Sequence, residues 1–199
     1  MNVVSIVEGH GEVGALPQLL RRVGQWKTPN HFPNILSPIR VRKDRFLNKD
    51  DEFRRHIQMA SHKCGKEGWI LILLDADDDC PMELGLQILE RAKQHLPHRP
   101  ISVIIANREY EAWFIASAAS LDGRRGFHFD PDNTVMDAES RRDAKGWIKA
   151  RMESRAYREI TDQPAFTATM DLEQAFKGSR SFRKLCSEWV SQVTPGETP

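Results

Sequence analysis

The chain has 199 residues, enough for one sizeable domain and short for two, and its 40% hydrophobic and 29% charged residues exclude wholesale disorder. With 29 basic and 28 acidic side chains the formal net charge is +1, so nothing global draws the chain to nucleic acid or to an anionic membrane, and any polyanion site must be local. Three scattered cysteines, Cys64, Cys80 and Cys186, suit neither a disulfide framework nor a zinc site. The longest strongly apolar run, Trp69 to Leu74, is far too short to span a bilayer, so a cytoplasmic protein without a membrane partner is expected.

The first predicted element is a strand, VVSIV (3–7), running into Glu8-Gly9-His10-Gly11-Glu12. Val13, Leu16, Leu19, Leu20 and Val23 then recur at helical spacing, with Pro17 tolerable only if the helix begins near it. Residues 26–38 read as loop, followed by a short strand at Ile39 to Arg42. Phe53, Ile57, Ala60 and Cys64 mark one face of a helix that Asp50 or Asp51 would cap and Gly65 would end. WILILL (69–74) has the continuous apolar character of a central parallel strand. Pro81 opens a helix with Leu84, Ile88, Leu89, Ala92 and Leu96 inward, ISVIIA (101–106) supplies another buried strand, and a further helix starts at Glu111. This alternation predicts an α/β fold over residues 1–120, a mainly parallel sheet flanked by helices. Residues 121–199 are expected to form a helical and loop extension packed on that core within a single domain, with helices around 143–158, 171–177 and 182–193 and a frayed tail from Thr194.

Folding alone explains glycines at the first strand-to-helix turn, but it does not explain the acids beside them. Glu8 follows the first strand, Asp75, Asp77, Asp78 and Asp79 follow WILILL, and Glu109 and Glu111 follow ISVIIA. Parallel strands bring their carboxyl ends to one edge, where open α/β sheets place their sites. Clustered like charges are destabilising unless a cation neutralises them, and hard oxygen donors suit Mg²⁺ or Mn²⁺. A single such acid is often only a helix cap or a solvated loop residue, and Glu12, Asp78 and Glu109 taken singly fit that bland reading. Asp75 and Asp77, two apart at a strand end, are expected to point to the same side. His10 lies in the glycine turn, where it can meet phosphate or simply face water. Trp113 and Phe114 read as core.

VEGHGE (7–12) together with LLDADDD (73–79) resembles the TOPRIM fold, with a Glu-Gly after the first strand and a DxD after a later one. The wider chain, including REYEAWFIAS (108–117), DAKGWI (143–148), TDQPAFTATMDLEQA (161–175) and SRSFRKL (179–185), is similar to a bacterial family catalogued as domain of unknown function 4276. The TOPRIM resemblance implies a divalent-metal-dependent nuclease or related phosphodiester hydrolase akin to the overcoming-lysogenization-defect nucleases. It implies Glu8, Asp75 and Asp77 as ligands of Mg²⁺ or Mn²⁺, Glu8 and Glu12 as catalytic acids, and Glu111 in a supporting catalytic place. Nucleic acid, DNA in the first place, would be the substrate, a separate ATPase a partner, and defence against foreign DNA the setting. Tyr110 and Tyr157 are the only tyrosines and neither has the context of a topoisomerase nucleophile, so hydrolysis fits better than strand passage.

Phosphate contacts are expected from KGSRSFRK (177–184), where Arg180, Ser181, Arg183 and Lys184 could bind phosphate, or where Ser181 could cap a helix with solvated charges around it. Arg141, Arg142, Lys145, Lys149, Arg151, Arg155 and Arg158 add positive charge just before it. The chain has no GxxxxGK[ST] loop for ATP, and although Gly9, Gly11 and Gly14 fall at GxGxxG spacing, the carboxylate that precedes Gly9 would repel a pyrophosphate there. Two other readings compete: a phosphatase of the haloacid dehalogenase type with an aspartate nucleophile, and a non-catalytic TOPRIM-like adaptor whose acids serve a structural ion or a partner.

Overall fold

The computed structural model describes residues 1–133, 137–153 and 155–196. In chain order it contains β1 (Asn2–Val7), α1 (His10–Lys27), β2 (Asn34–Ile35), β3 (Ile39–Arg40), α2 (Lys43–Asn48), α3 (Asp50–Cys64) and β4 (Trp69–Asp75). There follow α4 (Pro81–His95), β5 (Ile101–Ala106), α5 (Ala112–Ala116), α6 (Ala144–Lys149), α7 (Glu159–Thr169), α8 (Leu172–Gly178) and α9 (Arg180–Val193).

The sheet is parallel throughout, in the order β2-β1-β4-β5, and β3 also pairs with β1. The short β2 and β3 share one edge of β1: β2 sits beside Asn2 and Val3, and β3 beside Ile6 and Val7. Every residue of β4 and β5 is buried, as expected for strands covered on both faces. Alternate side chains then feed two cores. Val3, Val7, Leu71, Leu73 and Ile104 join α1, α5 and α9 on one face, while Val4, Ile6, Ile70, Ile72, Leu74, Val103 and Ile105 join α2, α3 and α4 on the other. The parallel α/β expectation therefore holds, and all β-strand carboxyl ends meet at one edge.

Local expectations fail where a tertiary contact outweighs propensity. Helix α1 starts at His10, so Pro17 lies well inside it and not near its start. Helix α3 does end at Gly65, with φ of 74°, but its N-cap is Lys49 and neither Asp50 nor Asp51 caps it. The segment 143–158 is not one helix: α6 stops at Lys149, and Met152 forms an antiparallel bridge with Phe127. The unexpected α7 takes its place and packs along α1, close enough that a Cβ on Gly11 would lie 2.0 Å from Gln163 Oε1 and 2.6 Å from the Glu159 carbonyl. Of the tail, residues 197–199 lie outside the described residues.

Candidate active site

Neither glycine of the first turn is there for a left-handed backbone. Gly9 has an extended conformation, with φ of −83°, and Gly11 is helical. What they permit is close approach. A Cβ on Gly9 would stand 3.0 Å from Glu12 Oε1, and the bare Gly11 lets α7 onto α1. Glu12, one turn into α1, folds back so that Oε2 accepts the N–H groups of Glu8 (3.1 Å) and Gly9 (3.2 Å). That is the carboxylate half of a capping box. It serves the helix and also brings a buried acid beneath the end of β1.

The end of β4 supplies the second acid. Asp75 is the last strand residue and only 7% exposed, with Oδ1 accepting the N–H of Tyr110 at 2.8 Å. The chain following β5 supplies Glu111, which is fully buried and whose Oε1 accepts from the Tyr157 hydroxyl and from Gln163 Nε2, each at 2.9 Å. Its Oε2 has no hydrogen-bond partner among the described residues. Burial, opposed by the two N–H donors, pushes the Glu12 carboxyl up to about 7. Burial likewise lifts Glu111 to about 7, against the pull of Lys145. Asp75 is raised well above the ordinary range, first by burial and then by the charges of Glu12 and Glu111. The three form one inner cluster.

Lys145, in the first turn of α6, answers this charge. Its Nζ stands 4.0 Å from Asp75, 4.0 Å from Glu109 and 3.9 Å from Glu159, while its backbone N–H donates to Glu109 Oε2 at 2.8 Å. Burial works against the ammonium, but Glu111, Asp75, Glu159 and Glu109 together hold its pKa above the ordinary lysine value.

Asp77 belongs elsewhere. Strand β4 ends at Asp75, and Asp77 has φ of 53°, so the expectation that Asp75 and Asp77 point to the same side, which assumes extended backbone, does not apply. Asp77 and Arg108, also left-handed with φ of 67°, lock the two strand-end loops together. The Asp77 N–H donates to the Arg108 carbonyl (2.9 Å), and Arg108 Nη1 donates to the Asp77 carbonyl (2.9 Å) and to Asp78 Oδ1 (3.0 Å). Left-handed residues of this kind concentrate where a site is held against local strain. The Asp77 carboxylate is 2.6 Å from Lys43 Nζ, a largely buried ammonium at the start of α2 that is also 3.8 Å from Asp79. Glu8 lies in this outer group: burial raises its pKa, Lys43 lowers it, and Asp77 raises it.

Among the described residues no group of three or more His, Cys, Asp and Glu side chains is arranged to hold a metal ion. The expected trio does not form such a group: Asp75 interacts with the inner acids, Asp77 pairs with Lys43, and Glu8 feels the charges of both Lys43 and Asp77. The donor chemistry of that outer pair still fits a hard divalent cation, because Mg²⁺ commonly takes only one or two carboxylates and completes its shell with water and substrate phosphate.

A cleft of about 810 Å³ is lined by Glu8, Gly9 and His10, by Arg40, Arg42 and Lys43 between β3 and the start of α2, and by Arg158, Glu159 and Thr161 at the start of α7. The phosphate contacts expected at 180–184 lie elsewhere. Arg180, Ser181 and Lys184 line a separate groove beside β5 and α4. Ser181 is buried, accepts Trp113 Nε1–H (2.8 Å) and donates to Glu139 Oε1 (2.6 Å). The helix cap is Ser179, whose side chain accepts the Phe182 N–H. Arg183 donates to the carbonyls of Phe176 and Lys177 at the end of α8, and Lys184 is 3.4 Å from Glu188. Of the basic residues before them, Arg155 forms a double hydrogen bond with Asp162, Arg151 lies over the Trp147 ring, and Arg142 reaches Asp78. Trp113 and Phe114 are core residues, as expected.

Sequence reasoning found the acids and missed their counter-charges. Lys43 carried no signal, since it sits in an ordinary basic stretch. Lys145 lies in DAKGWI and Gln163 in TDQPAF, both conspicuous segments whose place beside the acids only the packing of α6 and α7 reveals. No curated protein and no solved structure matches the chain at a significant level. A family model described as Domain of unknown function (DUF4276) matches residues 7–189, and the chain therefore belongs to that family.

Proposed function

We propose that the chain is a TOPRIM-like nuclease that hydrolyses phosphodiesters of nucleic acid, DNA in the first place, with Mg²⁺ or Mn²⁺. The observation that carries this reading is the convergence of acids at the ends of three adjacent parallel strands, an inner cluster with raised pKa values and an outer Glu8–Asp77 pair, of which Glu8 lines a cleft that also carries Arg40, Arg42, Lys43 and Arg158. Glu8 and Asp77 would hold the ion, and a bound divalent ion supplies charge neutralisation at the phosphoryl oxygens.

The protein's own groups have distinct tasks in this reading. Glu12, with a carboxyl at about 7, is poised to take or give a proton near neutral pH. Asp75 and Glu111 keep the inner cluster negative enough to hold Lys145 charged, and Lys145 offers a fixed positive charge to a developing oxyanion. Tyr157 and Gln163 orient Glu111. A separate ATPase, a cytoplasmic location and a role against foreign DNA belong to the same reading. Among the described residues no helix is long and apolar enough to cross a membrane.

The adaptor reading has one observation in its favour: Lys43 and Lys145 already neutralise the acids from within the chain. The phosphatase reading has none, since Asp75 is buried and its Oδ1 is occupied by the Tyr110 N–H. Divalent-dependent cleavage separates the first two, because a catalytic and a structural ion both raise the melting temperature of the native state they bind. Cleavage and thermal stabilisation by Mg²⁺ or Mn²⁺ that disappear together in Glu8→Gln and Asp77→Asn support the nuclease reading. Stabilisation without cleavage, or a wild type indifferent to both ions, favours the adaptor.

A further inference from the structure

Arg40, Arg42 and Arg158 are exposed and line the cleft with Glu8, the first two from the β3–α2 segment and the third from the start of α7. Among the described residues none of the three guanidinium groups has an ion-pair or hydrogen-bond partner. This sets them apart from the other arginines around the site: Arg108 and Arg142 are tied to Asp78, and Arg125 and Arg155 to Asp162. Lys43, on the same wall, is committed to Asp77 and Asp79. Of the carboxylates of the cleft, Asp44 is committed to the Asn48 amide and Glu159 to Lys145, which leaves Glu8 facing the arginines. Like charges gathered on facing walls repel, and an anion between them relieves that repulsion. The amino-terminal end of α1, an 18-residue helix, adds its positive dipole end at His10.

We propose that this cleft is the binding path of a single-stranded nucleic acid, with Arg40, Arg42 and Arg158 contacting successive phosphates on either side of Glu8. The proposal rests on the nuclease reading and moves the substrate path from α9 to the β3–α2 turn and the first turn of α7. Guanidinium groups bind phosphate through two parallel N–H donors, and three of them on two walls match several phosphates better than one. A single strand fits the charge inventory. A duplex binder typically neutralises about 6–10 phosphates, whereas a chain with a net charge of +1 offers three free guanidinium groups here.

The test is fluorescence anisotropy with a short labelled single-stranded DNA in EDTA, with KCl varied between roughly 50 and 200 mM. Wild type is compared with an Arg40→Gln/Arg158→Gln double variant and an Arg180→Gln/Lys184→Gln double variant, all with melting temperatures recorded to verify folding. Each lost phosphate contact should flatten the slope of log affinity against log salt by about 0.7. The cleft variant should show this loss twice over and the α9 variant not at all. An unchanged slope in the cleft variant, a loss only in the α9 variant, stronger binding of duplex than of single strand, or no binding by wild type would overturn the proposal. Cleavage by a protein whose binding ignores the cleft variants would sink the path and leave the nuclease reading standing. Cleft-dependent binding with no cleavage under any divalent ion would do the reverse.

Discussion

Replacing Glu111 with Gln should reshape the pH dependence of stability. The carboxyl is fully buried, with an ordinary value of 4.5 raised to about 7 in the folded protein. A raised acid pKa means that the native state holds its proton more tightly than the unfolded chain. Its contribution is complete below pH 4.5 and is lost as pH rises through about 7. At about 1.4 kcal/mol per pH unit, a displacement from 4.5 to about 7 makes the loss about 3 kcal/mol. Gln cannot titrate, so Glu111→Gln should lack that decline. It keeps an oxygen to accept from Tyr157 and Gln163 and puts an amide where Oε2 has no partner, so its cost at low pH should be small. Urea unfolding from pH 4.5 to pH 8, a window set by those two pKa values, measures this directly. The stability of the variant relative to wild type should rise by about 3 kcal/mol across that window. Parallel curves would mean that Glu111 is not a raised acid and would remove the argument that burial makes the inner cluster hold protons near neutral pH.

Lys145→Met should act in the same region with the opposite sense, destabilising by about 1–3 kcal/mol at pH 8 and by less at pH 5, where buried Glu111 carries its proton; equal losses at both pH values would deny the coupling. Gly11→Ala should cost about 1–3 kcal/mol through overpacking against α7, measured as a lowered urea midpoint with unchanged slope, and a neutral result would mean that α7 does not pack on α1 as described. Asp162→Asn should be among the most damaging substitutions. Burial alone would raise this carboxyl, yet Arg155, the Arg158 N–H and Arg125 hold it low, so removing the charge strands two guanidinium groups and should lower the melting temperature by several degrees or more.

Periodicity carried much of the α/β core. The runs at 3–7, 69–74 and 101–106 and the apolar faces of α1, α3 and α4 depend on local pattern and burial, and both are written in consecutive residues. The carboxyl-edge acids were legible for the same reason, since parallel strands must end together. Helix α7 was not legible, because Pro164 interrupts its pattern and its stability comes from contact with α1. The split between Asp75 and Asp77 was hidden as well, because it depends on the left-handed backbone of Asp77 itself, two residues past the end of β4. Within the basic run at 141–158, Arg142, Arg155 and Arg151 are held by Asp78, Asp162 and the Trp147 ring, while Arg158 lines the cleft, a division that the sequence does not show. Charge counts reveal a surplus in a segment; tertiary structure decides which charges remain free.

The most direct test is cleavage itself: purified protein incubated with single- and double-stranded DNA and RNA in Mg²⁺ or Mn²⁺, with Asp77→Asn and Glu8→Gln alongside. The acid cluster predicts divalent-dependent cleavage by wild type that both variants lose while remaining folded. Cleavage that persists undiminished in both variants, or wild type that cuts none of the four substrates with either ion, would contradict it.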